Sequence, residues 1–314
     1  MTVTESNPFA PPRAPAARAP GPAAVSGRPA PPAGPAGMRI AGHALTIVGV
    51  LALSLLLQLA LIGRLQHNRD QDRNFAEFRS QLANATAPVA SLDSGGHLLA
   101  SGTPVAVLSI PKLGVEEVVG EGTSSGALKS GPGHLRDTVL PGQVGVSVVL
   151  ARRAAYGGPF QRIGRLTRGD LITVTTGQGV HQFRVLGVRH ANDPQVAAPG
   201  KTEGRLTLVT ADGPPYLPTD VVRVDAQLVT QAVATNGRLP TYALPDSEQL
   251  MAGDEGALVP IVGWALVLLL AAGGVVYTHQ RLGVWQAWVI GVPVLGALGL
   301  AVADSIASLL PNLL

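Results

Sequence analysis

Three stretches of this chain, Gly42–Gly63, Gly256–Tyr277 and Leu282–Ala303, contain no Asp, Glu, Lys or Arg. Each is close to the ~20 residues that a helix needs to cross the hydrocarbon of a bilayer. Each therefore predicts a transmembrane helix. A buried core helix is the other reading of an uncharged run, and three runs of this length argue against it. Composition agrees, since 46% of the 314 residues are hydrophobic and only 14% are charged, an unusual balance for a purely soluble domain. The first run is too long for the ~7 to 15 apolar residues of a cleaved signal, and its leader is too long as well, so it reads as a retained anchor.

The leader, residues 1–41, holds ten of the 26 prolines and almost no large apolar side chain. That composition predicts a disordered Pro/Ala-rich tail, serving as a tether or as a ligand for aromatic-lined grooves. Orientation is read from Lys and Arg near the span ends, and here the signals conflict. Arg28 and Arg39 precede the first run, whereas Arg64, Arg69, Arg73 and Arg79 follow it. Arg281, between the second and third runs, and the acidic pair Asp254 and Glu255 before the second favour a cytoplasmic N-terminus and an external middle domain. The expectation is a multi-pass cell-membrane protein with its main domain extracytoplasmic. Pro293 lies mid-run and should kink the third helix.

Between the first and second runs the pattern changes. VAVLSI, GVSVVLA, LITVTT, QFRVLGV, RLTLVT and VVRVDAQLV are short, rich in β-branched residues and separated by Gly and Pro, as in an antiparallel barrel or sandwich. A mainly β domain is expected over residues 86–246. One short helix is expected at Pro159–Leu166, where Phe160, Ile163 and Leu166 share a face. Residues 64–85 place Phe75, Phe78 and Leu82 at helical spacing and predict a membrane-proximal amphipathic helix. Residues 247–255 read as a linker to the second span. The chain has no cysteine, which excludes disulfides and thiolate zinc sites, and its histidines show no metal-ligand spacing, so no cofactor or metal is expected. The net charge of +3 is scattered and does not suggest nucleic-acid binding.

Four blocks, VLSIPKLGV at 107–115, EGTSSGALKSGPGHLRDTVLPGQVG at 121–145, VVLARRAAYGGPFQRIGRLTRGDLITVTTGQG at 148–179 and RLTLVTADGPP from Arg205, occur in an order that resembles the sortases. The likeness covers residues 105–229 and is closest to the actinobacterial class E type. Sortases are membrane-anchored cysteine transpeptidases of Gram-positive bacteria that attach proteins to the cell wall or to pili. The resemblance implies an eight-stranded β-barrel with one or two short helices, here accompanied by three transmembrane α-helices. It also implies a Cys nucleophile, a His and an Arg. The Cys follows Thr at a strand end, a place held here by Ala211. The His position is held by Arg152. The Arg position falls on Val221, or on Arg223 with a two-residue shift. Thr210, Arg153, Tyr156 and Arg223 are the candidates for a peptide groove.

Two functions remain open on this reading. One is a catalytically inactive peptide-binding or scaffolding module at the cell surface. It would act on a sorting-signal peptide or surface protein, or beside an active sortase or other membrane protein, with lipid around its spans. The other is a transpeptidase or hydrolase with a rebuilt centre. Thr210 and Ser147 are poor substitute nucleophiles without a neighbouring general base. His134 reads as a turn or packing residue, His181 and His190 as solvated, and Asp212 or Asp220 as a salt-bridge partner for Arg152.

Overall fold

The computed structural model describes residues 45 and 49–314, except 94, 215, 236 and 237. The expected disordered tail at 1–41, and the start of the first predicted span, lie outside the described residues. Helix α1 (Gly49–Ala83) joins the remainder of that span to the predicted membrane-proximal helix in one element. A π turn at Gln58–Ile62 marks the join. The two were expected as separate elements, but no Gly-Pro break or cap separates them. Of the residues expected on the apolar face, Phe78 is buried and Phe75 is 37% exposed.

Eight strands follow: β1 (Pro104–Ile110), β2 (Val115–Glu121), β3 (Gly133–His134), β4 (Gly145–Leu150), β5 (Leu171–Thr176), β6 (Gly179–Arg189), β7 (Gly204–Asp212) and β8 (Asp220–Leu228). They close into a barrel in the order β1-β2-β3-β4-β7-β8-β6-β5. All six apolar runs are strands. The two strands without such a run are β2, where Glu116 and Glu117 interrupt the apolar pattern, and the two-residue β3. Most neighbours are antiparallel, but β2 with β3 and β4 with β7 are parallel. Helix α2 (Ala127–Ser130) crosses between β2 and β3.

The barrel interior is filled by alternating residues of these strands, among them Leu108, Ile110, Ile172, Phe183, Leu206 and Val224, with Phe160, Ile163 and Leu166 packed into the same cluster. The predicted helix at 159–166 is not formed. Only one 3-10 turn, Ile163–Arg165, occurs there. The three apolar residues are spaced by three, and tight turns suffice to turn them all inward.

After the barrel the chain does not hang free. The segment expected as a linker lies against the barrel: Glu248 is buried, its carbonyl accepts from Thr123 Oγ1 at 2.5 Å, and its carboxylate meets Arg136 at 3.4 Å. Helices α3 (Leu258–Leu282) and α4 (Val284–Leu309) follow, and both are long and apolar enough to span a membrane. Pro293 lies inside α4.

The barrel also encloses an ionic pair. His134 Nδ1 and Glu121 Oε2 are 2.9 Å apart with both side chains fully buried, and the other ring nitrogen lies 2.9 Å from the Val139 carbonyl. Burial works against the His134 cation, but the Glu121 carboxylate, helped by the Val139 carbonyl and Asp137, more than offsets it and holds the imidazole above its ordinary pKa. A raised folded-state value stabilises the fold below the unfolded histidine pKa, and this contribution is lost as pH rises through the folded value. Thermal unfolding of the full chain in detergent should therefore show lower stability near pH 9 than near pH 6. Glu121→Gln should remove most of that difference.

Candidate functional site

Strands β4, β7 and β8 are neighbours in the barrel wall, and their register decides which predicted residues can meet. Leu150 lies beside Val209 in the parallel β4–β7 pair, and Ala211 lies opposite Val221 in the antiparallel β7–β8 pair. Arg152, two residues past the last β4 pair, belongs to the same end of the wall. Side chains alternate along a strand. Leu206 and Leu208 point into the barrel core, whereas Val209 and Ala211 pack in a second cluster on the outer face. Leu128, Leu135, Leu150 and Leu313 complete that cluster, with Val221 against it, and Ala211 is only 1% exposed.

Arg223 lies opposite Val209 and two residues along the same face from Val221. It lines a different cleft of about 340 Å³, with Arg189, Asp193 and Gln195. Thr210 points the other way and is buried, its hydroxyl donating to the Ala151 carbonyl at 2.7 Å. The four groove candidates therefore do not line one groove.

Arg152 is fully buried. Its guanidinium donates to Ser125 O at 2.9 Å, Ser125 Oγ at 2.8 Å and Leu128 O at 3.2 Å, and it lies 5.0 Å from the centroid of the Tyr156 ring. Desolvation pulls its pKa down to about 10. Tyr156 is buried with φ of 50°, a left-handed conformation rare for a bulky residue. Its hydroxyl donates to Asp304 Oδ1 at 2.8 Å, and burial raises its pKa. Gln58 Nε2 donates to the same oxygen at 3.0 Å, and Lys129 Nζ lies 2.9 Å from Asp304 Oδ2. Asp304 thus ties α1, α2, α4 and the segment after β4 at one point. Sequence reading passed over this group, although Asp304 is the first charge after the third uncharged run.

Arg153, next along the chain, turns to the opposite side. Its Nη1 donates to Ala211 O at 2.9 Å and to Asp212 Oδ1 at 2.7 Å, and Asp212 Oδ2 lies 2.8 Å from His190 Nδ1. These groups line a cleft of about 440 Å³ with Thr210, Arg162 and Arg165. Two expectations are corrected here. Asp212 pairs with Arg153 and His190 rather than with Arg152, because consecutive side chains diverge. Asp220 accepts the N–H of Val221 at 2.7 Å. His190 is exposed but lies against the Asp212 carboxylate, and His181 is buried, sharing a hydrogen bond with Thr176 Oγ1 at 3.2 Å.

Among the described residues no group of three or more His, Asp or Glu side chains is arranged to hold a metal ion. The chemistry available beside Ala211 is that of a cation, a carboxylate and an imidazole with no nucleophile aimed at them. Ser147 is buried in β4 with its hydroxyl unpaired, and Leu206 lies beside it in the sheet.

The hydrogen bond from Arg153 holds the Asp212 carboxyl below its ordinary pKa, with smaller help from the Gly213 N–H and His190. A depressed carboxyl stabilises the fold above its unfolded value, and the contribution fades as pH falls through the folded one. Asp212→Asn should cost under ~1 kcal/mol at neutral pH, because the group is partly exposed, and the two chains should converge in acid. Denaturant unfolding of both across acidic pH is the measurement.

Residues 108–229 match the family model described as the sortase domain. Sortase D of Bacillus subtilis (strain 168) is 25% identical over 121 residues, which cover 38% of this chain and 50% of the relative. The match thus spans half the length of that curated protein. Among solved structures, the sortase D5 transpeptidase of Clostridium perfringens is 22% identical with a TM-score of 0.43, covering 52% of this chain and 99% of the other. Sortase E1 of Streptomyces coelicolor, solved with a tripeptide in its active site, is 24% identical with a TM-score of 0.38, covering 47% and 98%. With the family match laid over a closed eight-stranded barrel, residues 108–229 of this chain are a sortase-type domain.

Proposed function

We propose that this is a membrane-anchored, catalytically inactive sortase-like protein that binds a peptide or scaffolds a partner in surface-protein anchoring or pilus assembly. One observation carries the reading: the position that follows Thr210 at the end of β7 is Ala211, and the chain holds no cysteine anywhere. A thiolate is the nucleophile of cysteine transpeptidation, and without it no thioester forms. The other two positions support the reading. Arg152 is buried and engaged with Ser125 and Leu128, so it can neither take nor give a proton in a cleft. Val221 carries no charge to steady an oxyanion. The expected partners are a sorting-signal peptide or surface protein, or an active sortase or other membrane protein beside the spans.

The test restores the parts. The parent chain should leave a sorting peptide uncleaved, and Ala211→Cys alone should form no thioester, lacking a proton donor for the leaving amine. Ala211→Cys combined with Arg152→His and Val221→Arg should form one, read as an added mass on the intact protein. Cleavage by the parent would overturn the inactive reading. A folded triple variant that forms no thioester would move the Arg position to Arg223 or show that the cleft is closed to peptide.

The proposed topology places residues 86–246 outside and the N-terminal tail inside. Its support is the acidic approach to α3 at Asp254 and Glu255 and the basic Arg281 between α3 and α4. Protease added to sealed cells should digest the middle domain and spare the tail. Digestion of the tail with protection of the domain would reverse the assignment.

A further inference from the structure

The outer-face cluster around Ala211 contains one residue from far along the chain. Leu313 is fully buried among Leu128, Leu135, Leu150, Val209 and Ala211. Its backbone forms a turn, closed by the Leu314 N–H donating to the Pro311 carbonyl at 3.0 Å, and is fastened to the barrel by its carbonyls. The Leu313 carbonyl accepts the N–H of Arg153 at 3.0 Å, and the Leu314 carbonyl accepts that of Ala155 at 3.3 Å. Asn312 is buried too. Its side-chain amide donates to Thr123 O and to Gln249 O, both at 2.8 Å, and its own N–H donates to Ala252 O at 2.9 Å. The contacts fall on the segment after β4, which carries Arg152 and Arg153, on Thr123 between β2 and α2, and on the segment before α3. Pro311 ends the helix and turns the chain toward the barrel.

We propose that Asn312–Leu314 is a tethered ligand that closes the peptide cleft over Ala211, so that an external peptide can enter only by displacing it. This rests on reading that face of β7 as the peptide site. The physical case is that the segment, though turned, combines two elements of peptide recognition, main-chain hydrogen bonds for affinity and a buried side chain for selectivity. Its attachment to α4 raises its effective concentration far above that of a free peptide. The chemistry of the pocket follows from its lining: it takes a Leu-sized aliphatic side chain with a primary amide on the residue before it. A competing peptide should have the same pattern, an amide-bearing residue followed by a branched aliphatic one. The proposal also gives α4 a purpose beyond anchoring, because a shift of that helix would withdraw the segment.

The absence of native cysteine makes the test direct. In detergent-solubilised full chain, the thiol introduced by Ala211→Cys should react with a maleimide roughly tenfold or more slowly than one introduced by Val180→Cys, a position 59% exposed. Adding Leu313→Asp, or separately Asn312→Ala, should speed labelling of the Ala211→Cys variant by roughly tenfold or more, since each removes one anchor of the segment. The Asn312→Ala variant keeps the apolar cluster intact and guards against simple unfolding, which circular dichroism would reveal. Rapid labelling of Ala211→Cys alone would overturn the proposal, as would slow labelling that neither second substitution changes. A synthetic Pro-Asn-Leu-Leu peptide then separates this proposal from the peptide-site reading beneath it. Renewed protection of the opened variant supports both. Exposure by Leu313→Asp with no protection by peptide upholds the closing segment and removes external peptide binding.

Discussion

Strand β7 is buried on both faces, and the rest of the molecule is arranged around that constraint. Its inward residues fill the barrel, as they would in any closed sheet. The outward ones, Val209 and Ala211, would lie on the surface of an isolated barrel, yet here they are covered by α2, by Leu135 and by Leu313. An apolar strand of this kind needs a cover on its second face, since leaving it in water forfeits about 25 cal/mol for each Å² of apolar surface. The cover comes from elements that also reach the membrane helices. Packing of one strand therefore links the barrel, the strap at Glu248 and the end of α4.

On the proposed inactive reading, an alanine at this strand end and an apolar cover above it are physically compatible in a way that a reactive thiol under the same cover is not. A reactive thiol needs access to substrate and a nearby proton carrier. Alanine needs neither and is stabilised by exclusion of water. Once Ala occupies the strand end, an apolar side chain above it is favourable rather than inhibitory. The guanidinium of Arg152 follows the same logic. It sits among the Ser125 and Leu128 carbonyls and against the Tyr156 ring, where its charge supports α2 and the loop before it.

How much of this was legible depended on whether the information was local. Six strands were readable because β-branched runs between Gly and Pro carry their own signal. β2 was missed because Glu117 and Glu121 face partners, His67 and His134, that only the tertiary fold supplies. Arg152 and Arg153 could not be told apart in sequence, since nothing local says which of two adjacent arginines turns toward Asp212. The turn at Phe160–Leu166 was over-read because spacing by three suits a helix and a string of tight turns alike. The role of Asn312 and Leu313 left no trace, as their contacts lie with residues far away in the sequence, 63 positions in the case of Gln249.

Asp304 sets a distance scale. The uncharged part of α4, from Trp285 to Ala303, is about 28 Å long, nearly the ~30 Å thickness of a hydrocarbon core. The carboxylate that follows it at once is clasped by Tyr156, Gln58 and Lys129, so on the proposed anchoring the barrel would begin where the lipid ends. A domain hung on a flexible stalk sweeps a volume set by its linker. One bolted to a helix end sweeps almost none, and its working zone is a thin layer at the lipid headgroups. On that reading a partner would have to come down to that layer, in the membrane or emerging from it.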